Sequence, residues 1–235
     1  MSSPLLERAP RESRAPATVP LALHSLTKRW SADAPPVLDG LDLILEPGTS
    51  TWVGGVNGAG KTTMLRIAAG MIEPETGRAE VRGLTSGQNR TRYQQLVSFL
   101  PAGDRGLYAR LTVRRQLGFW ARISMLAPAH VPGRVSEAIL TFDLGELEDR
   151  RVDRMSMGQR QRLRLAMTFL AEPDVVLLDE PLTSLDGRGA ELLLTAIEHV
   201  LARDGAVLWC SPSGEHLDFS FDALWQIERG RLVPA

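Results

Sequence analysis

Residues 55–62 read GVNGAGKT, a spacing of glycine, lysine and threonine that suits phosphate binding. Glycines let the backbone turn tightly enough for successive N–H groups to point at one anion. Lys61 can then reach the terminal phosphates, the Thr62 hydroxyl can ligate Mg²⁺, and the helix that follows presents its positive end to the same charge. The loop residues predicted to hold ATP are Asn57, Gly58, Ala59, Gly60, Lys61, Thr62 and Thr63.

A pair of acids ends the apolar run VVLLDE, residues 175–180. Asp179, at the end of a predicted strand, is placed to hold Mg²⁺ directly or through water. Glu180 is then the natural catalytic residue to polarise the attacking water. Such a pair could also be a helix cap or a surface turn, but the phosphate loop upstream favours nucleotide hydrolysis.

The stretches around these residues alternate between strand and helix patterns. TSTWVGG, residues 49–55, reads as a strand that leads into the glycine-rich turn, and residues 61–70 read as a helix. Residues 112–150 carry two helical patterns around the loop MLAPAHVPG, which indicates a helical insertion. The alternation predicts a mainly parallel α/β sheet. After the insertion, one helical face holds Leu163, Ala166, Met167 and Leu170.

Charge, cysteine content and the length of apolar runs exclude several classes of protein. The net charge is −1 and the pI is about 6.4, so no basic field argues for a nucleic-acid partner. Cys210 is the only cysteine, which excludes an internal disulfide and a cysteine-based zinc cluster. No apolar run approaches the ~18 residues that cross a bilayer. Residues 1–20 lack the apolar block of a secretory signal and are predicted to be a disordered leader.

A third motif, MSMGQRQR at residues 155–162, lies between the phosphate loop and the acids. Its Ser-x-Gly-Gln resembles the signature motif of ABC (ATP-binding cassette) ATPases. The match includes SLD at residues 184–186, which in this family crosses to the partner subunit, and Trp30, at the position where the family has an aromatic side chain that stacks on adenine. The resemblance covers residues 21–233.

This resemblance implies a P-loop NTPase fold: an α/β ABC cassette with a RecA-like, mainly parallel core sheet, an antiparallel β subdomain and an α-helical subdomain. One domain would span residues 21–235, with the helical subdomain inserted at about 103–160. Two cassettes, identical or different, would sandwich two ATP molecules head to tail. The residues expected to meet nucleotide or the partner across that interface are Ser156, Gly158, Gln159 and Asp186. Transmembrane permease subunits would hold the otherwise cytoplasmic chain on the inner face of the cell membrane.

Two positions depart from the family pattern. The glutamine expected before the helical insertion is absent, because neither Ala102 nor Gly103 can sense Mg²⁺ and the attacking water. The histidine expected after the strand AVLWC is replaced by Pro212, which has no donor at all. Asp104, Arg105 and His216 are the candidates to replace these groups. The chain's own ATP site is therefore expected to bind Mg-ATP and to cleave it slowly.

The stretch GDRGLYARLT, residues 103–112, resembles cassettes of ABC-2-type exporters. The first expectation is therefore the ATP-hydrolysing subunit of such an exporter. A haem-exporter cassette of cytochrome c maturation and a non-hydrolysing regulatory ABC subunit are the alternatives. A ribosome- or DNA-acting ABC protein fits less well, because the chain has neither a second cassette nor long coiled-coil arms.

Overall fold

The computed structural model describes residues 18–212 and 219–235, so most of the predicted leader and His216 lie outside the described residues. In chain order the elements are β1 (Leu21–Lys28), β2 (Leu38–Leu45), β3 (Ser50–Gly54), α1 (Lys61–Ala68), β4 (Thr76–Val81), α2 (Arg90–Leu96), β5 (Val97–Leu100), α3 (Val113–Ile123), α4 (Val131–Thr141), α5 (Met157–Phe169), β6 (Val175–Asp179), α6 (Gly187–Ala202), β7 (Ala206–Cys210), β8 (Ala223–Glu228) and β9 (Arg231–Pro234).

A six-stranded sheet in the order β5-β6-β7-β3-β8-β9 forms the centre. Its strands run parallel except β9, which closes the edge as an antiparallel hairpin with β8. Every residue of β3, β6 and β7 is buried, because helices cover both faces of a parallel sheet. The carboxyl ends of β3 and β6 therefore meet at one edge of the sheet, where the two predicted chemical motifs come together.

A separate three-stranded antiparallel sheet, in the order β2-β1-β4, lies beside this core. Strand β2 alternates buried and exposed side chains, as expected for a sheet with one solvated face. Arg82, which follows β4, ties this sheet to the core by donating to Asp174 Oδ1 at 3.0 Å and to the Asp204 carbonyl at 2.8 Å. The fold is thus the predicted α/β cassette with a parallel core, an antiparallel sheet and a helical part.

The helical part comprises α3, α4 and the start of α5, joined by short 3-10 turns at residues 145–147 and 152–154. Helix α3 begins where the pattern predicts, because Thr112 caps it by accepting from the Arg115 N–H. Helix α4 begins at Val131, two residues before the predicted start. Pro132 lies in its first turn, where a missing N–H costs no helical hydrogen bond.

Helix α2 was not predicted from the sequence. Asn89 caps it, since its side chain accepts from the Arg92 N–H at 2.9 Å. Tyr93 is fully buried, and its hydroxyl donates to the Ala68 carbonyl at 2.6 Å. This short helix therefore anchors the end of α1, the helix that follows the phosphate loop. Among residues 18–212 and 219–235, no helix has the length and apolar character needed to cross a membrane.

Candidate functional site

A cleft of about 290 Å³ opens at the carboxyl ends of β3 and β6. Ligand sites in open α/β sheets occur at this edge. The structure brings together there the predicted loop residues, Trp30 and Glu180. The lining residues are Trp30, Val37, Asn57, Gly58, Ala59, Gly60, Lys61, Thr62, Thr63 and Glu180.

The loop between β3 and α1 has the backbone that its glycines predict. Gly60 has φ 112° and precedes the first residue of α1, and a Cβ there would lie 2.8 Å from the Val37 carbonyl. Only glycine fits such a position without strain. The first turn of α1 contains no acidic side chain, so the positive end of the helix is available to an anion.

Lys61 is buried at the centre of this loop. Its ammonium donates to the Gly55 carbonyl at 2.5 Å and to the Val56 carbonyl at 3.2 Å. These two acceptors hold the charge inside the turn of the loop, where a phosphate would meet it together with the backbone N–H groups.

Thr62 and Asp179 form the second half of the phosphate site. The Thr62 hydroxyl donates to Asp179 Oδ2 at 2.8 Å. Burial raises the pKa of Asp179, whereas Thr62, Lys61 and a backbone hydrogen bond from Ala102 lower it in part. A hydroxyl and a carboxylate beside a phosphate-binding loop are the oxygen ligands that Mg²⁺ uses when it binds with nucleotide. The donor set therefore fits the metal that the sequence predicts.

Glu180 lines the cleft next to these residues and has an unusual backbone. Its φ is 50°, in the left-handed region, and its N–H donates to the Cys210 carbonyl at 2.8 Å. A left-handed conformation in a residue other than glycine costs free energy and often occurs at functional sites. The hydrogen bond to the end of β7 fixes this turn beside the cleft that Glu180 lines. The role of Glu180 as a general base stays a prediction.

Trp30 is 59% exposed and lines the same cleft. The ammonium of Lys28 lies 5.5 Å from the centre of its ring, at cation–π distance. An indole held in this way offers a flat face for a nucleobase. The stacking role assigned by the resemblance stays a prediction.

The signature residues lie away from this cleft. Ser156 and Gln159 form a reciprocal capping box at the start of α5. A Cβ on Gly158 would lie 3.3 Å from the Ser184 carbonyl, so this turn packs closely on the SLD segment. Asp186 caps α6 by accepting from the Gly189 N–H at 2.7 Å. Contact of these residues with a nucleotide on a second cassette stays a prediction.

Two of the candidate replacements for the missing groups, Asp104 and Arg105, are not among the residues that line the cleft. Asp104 pairs with Arg160 at 3.4 Å on the outside of the loop after β5, and Arg105 lines a different groove. Ser211 accepts a hydrogen bond from Trp52 Nε1 at 2.8 Å, which fixes the chain just before Pro212. His216 lies outside the described residues. Among the described lining residues, none is a glutamine or a histidine.

Sequence reasoning missed two buried polar residues on α5, Gln161 and Arg164. Gln161 donates to the Pro181 carbonyl at 2.9 Å, directly after the two acids. Arg164 donates to the carbonyls of Pro101 and Arg105 in the loop after β5. The available signal was their spacing of three residues, because it places both side chains on one face of the helix.

Comparison with known proteins agrees with this geometry. The family described as ABC transporter matches residues 38–183. The ABC transporter ATP-binding protein NatA of Bacillus subtilis (strain 168) is 30% identical over 193 residues, which cover 82% of this chain and 78% of NatA. The cytochrome c biogenesis ATP-binding export protein CcmA of Xylella fastidiosa (strain 9a5c) is 35% identical over 211 residues, 87% of this chain and 90% of CcmA.

A solved structure described as the ATP-binding subunit of an ABC transporter superposes with a TM-score of 0.82. It covers 90% of this chain and 87% of its own length at 24% identity, so it supports the fold. The nucleotide cleft, the signature turn and these likenesses agree. The chain belongs to the ABC transporter family, as an ATP-binding and ATP-hydrolysing cassette.

Proposed function

We propose that this chain powers an ABC-2-type exporter as one cassette of a two-cassette dimer, with Mg-ATP bound in the cleft described above. The observation that carries the proposal is the convergence of Lys61, Thr62 and Glu180 at one sheet edge, with Asp179 bonded to Thr62. Bound Mg²⁺ would neutralise charge on the transferred phosphate. Thr62 and Asp179 would hold the ion, and Glu180 would accept a proton from the attacking water.

The same site should cleave ATP slowly. No described lining residue is the glutamine or the histidine that the family pattern places there, and Pro212 has no donor in its side chain or backbone. A donor aimed at developing transition-state charge contributes about 10²- to 10³-fold in rate. The site would then hold ATP for long periods, and faster turnover would require a different partner cassette.

The permease would dock in a second groove, of about 660 Å³, between the core sheet and the helical part. Its rim exposes Met71, Ile123 and Met125. The described lining includes three arginines, Arg66, Arg105 and Arg164, and no acidic residue. This combination suits a short helix with an apolar face and an acidic side chain. A permease segment of that kind would hold the chain at the inner face of the membrane.

The test is ATP hydrolysis by the chain reconstituted with its membrane partner, comparing the wild type with Glu180→Gln and Pro212→His. For a slow native site, Pro212→His should raise the turnover about 10-fold or more. Adding Glu180→Gln to the Pro212→His variant should abolish this gain. Wild-type turnover that is fast, and that Pro212→His leaves unchanged or lowers, would overturn the slow-site proposal while leaving the ATPase assignment intact.

A second candidate is export during cytochrome c biogenesis, which the similarity to CcmA over 90% of that protein favours. A strain that lacks the chain distinguishes the two. Loss of mature c-type cytochromes would support this candidate, and normal cytochromes together with loss of another exported compound would support the first.

A further inference from the structure

Helix α3 lies in a stretch of the chain that carries arginines but no acidic residues. Residues 105–136 contain six arginines, one histidine and no aspartate or glutamate. Four of the arginines are exposed and form no ion pair with a described residue: Arg105, Arg110, Arg115 and Arg122. Three acids that flank the stretch or contact it are each paired with another arginine: Asp104 with Arg160, Glu137 with Arg134 and Glu148 with Arg114. Unpaired positive charge therefore concentrates around α3.

Two of the unpaired arginines share the solvent side of α3 with an aromatic ring. Arg115, Phe119 and Arg122 are spaced by four and three residues, so they lie on one face of the helix. The opposite face is buried and includes Val113 and Leu117. Phe119 is 37% exposed, between the two cations along the helix. The outer face of α3 thus combines a large apolar group with positive charge.

A buried side chain holds a second ring against this face. Gln116 Oε1 accepts from the Tyr108 N–H at 3.0 Å, and Gln116 Nε2 donates to the Gly106 carbonyl at 2.9 Å. These two bonds fix the loop before α3, where the Tyr108 ring packs edge to face on Phe119 with 5.1 Å between the ring centres. Tyr108 is 51% exposed. Two adjoining rings are therefore presented to solvent beside the arginines.

These groups match the chemistry of an anionic membrane surface. Aromatic rings insert among lipid headgroups, and a tyrosine suits that boundary because its ring is apolar and its hydroxyl is polar. Arginines beside the rings can pair with phosphate while their methylene stems lie against the lipid. The groove proposed for the permease is lined by Ile123 and Met125 but not by the outer face of α3, so docking there does not use this face.

We propose that the outer face of α3, formed by Tyr108, Arg115, Phe119 and Arg122, binds the headgroups of anionic phospholipids directly. This contact would orient the helical part against the bilayer and add to the hold of the permease. The inference goes beyond the proposed function and does not involve the nucleotide cleft, so either can fail without the other.

The test is sedimentation of the full-length chain with protein-free vesicles of phosphatidylcholine, made with or without phosphatidylglycerol. We expect binding only to the vesicles that contain phosphatidylglycerol, and weaker binding at high salt because salt screens the charges. Arg115→Gln combined with Arg122→Gln should weaken binding about 30-fold, since each arginine near an anionic surface contributes about fivefold. Phe119→Ser should weaken it about fivefold, because the apolar area of the ring is lost.

Arg203→Gln combined with Arg229→Gln is the matched control, because it removes the same charge from exposed positions after α6 and between β8 and β9. It should leave vesicle binding within about twofold of the wild type. Arg115→Lys combined with Arg122→Lys keeps the charge and should bind nearly as well as the wild type. A protein partner that recognises the planar guanidinium would instead lose contact with the lysine variant.

Four results would each overturn the proposal: equal binding to both kinds of vesicle, unaltered binding of the glutamine variant, an equal loss in the matched control, or loss of binding in the lysine variant. Binding of a fluorescent ATP analogue should be the same in every variant, because the substituted side chains lie outside the nucleotide cleft.

Discussion

At the scale of single residues, the buried carboxylate of Asp179 costs folding stability when it is charged. Burial raises its pKa above the ordinary aspartate value, so the folded chain binds this proton more tightly than the unfolded chain does. The stability contributed by this group therefore falls as the pH rises from the ordinary aspartate pKa through the raised folded value. Above that window Asp179 is charged in both the folded and the unfolded chain, and folding then carries the full cost of removing this charge from water.

We therefore expect Asp179→Asn to raise the melting temperature of the nucleotide-free chain at pH 8, where each kcal/mol corresponds to about 2–4 °C at this size. An asparagine oxygen can still accept from Thr62 without a buried charge. The advantage should shrink as the pH is lowered toward 4.5. Thermal unfolding at both pH values measures this, with the exposed Asp33→Asn as the control. A lower melting temperature at pH 8 would mean that attraction to Lys61 outweighs desolvation.

The candidate site residues that could be predicted from the sequence are those that belong to a short, continuous motif. The phosphate loop and the two acids each form one short segment, and the parallel sheet brings the segments to one edge. Arg164 was missed because its partners, Pro101 and Arg105, lie about sixty residues away and contribute only backbone carbonyls. No residue type in that loop indicates such a contact.

At the scale of elements, the signature and SLD segments serve as helix caps as well as candidate contacts. Asp186 separates the two roles. Asp186→Ala should cost about 1 kcal/mol because the α6 cap is lost, whereas Asp186→Asn keeps a capping oxygen and should stay within a few tenths. Urea unfolding measures both. If the carboxylate also serves ATP turnover, Asp186→Asn will lose activity at unchanged stability; a normal activity would leave the cap as its only role.

Most helices and strands could be predicted because their buried positions carry apolar residues at the spacing of a helix or a strand. Strand β7 and the first four residues of β6 are continuous apolar runs, and α5 buries Leu163, Ala166 and Met167 at helical spacing, with Leu165 buried as well. Helix α2 escaped because its seven residues, RTRYQQL, bury only Tyr93 and Leu96. With two buried side chains, a short helix shows no clear period, and its stability comes from its cap and from contact with α1.

At the scale of the whole molecule, the proposed head-to-tail dimer can be tested by adding a charge to its interface. Met157 is 60% exposed at the first position of α5, where the helix end is positive. In a Glu180→Gln background, which should retain bound ATP, Met157→Glu should weaken ATP-dependent dimerisation about 10-fold, since like charges would face each other across the interface. The acid at the helix start should not destabilise the monomer.

Size-exclusion chromatography with and without ATP measures this, and Met157→Gln is the neutral control. Equal dimerisation of the Glu and Gln variants would mean that the signature turn does not face the phosphates of a second cassette. Dimerisation without ATP would point to a different interface.

The contact between Lys28 and Trp30 has a practical consequence for labelling. Lys28 and Lys61 are the only lysines in the 235-residue sequence, and the other basic side chains apart from histidine are arginines. Lys61 is buried in the phosphate loop, and Lys28 lies over an indole that lines the same cleft. The only side-chain amines that an acylating reagent can modify therefore lie in the phosphate loop and on the indole beside it, so protection of these two lysines would report on occupancy of the cleft.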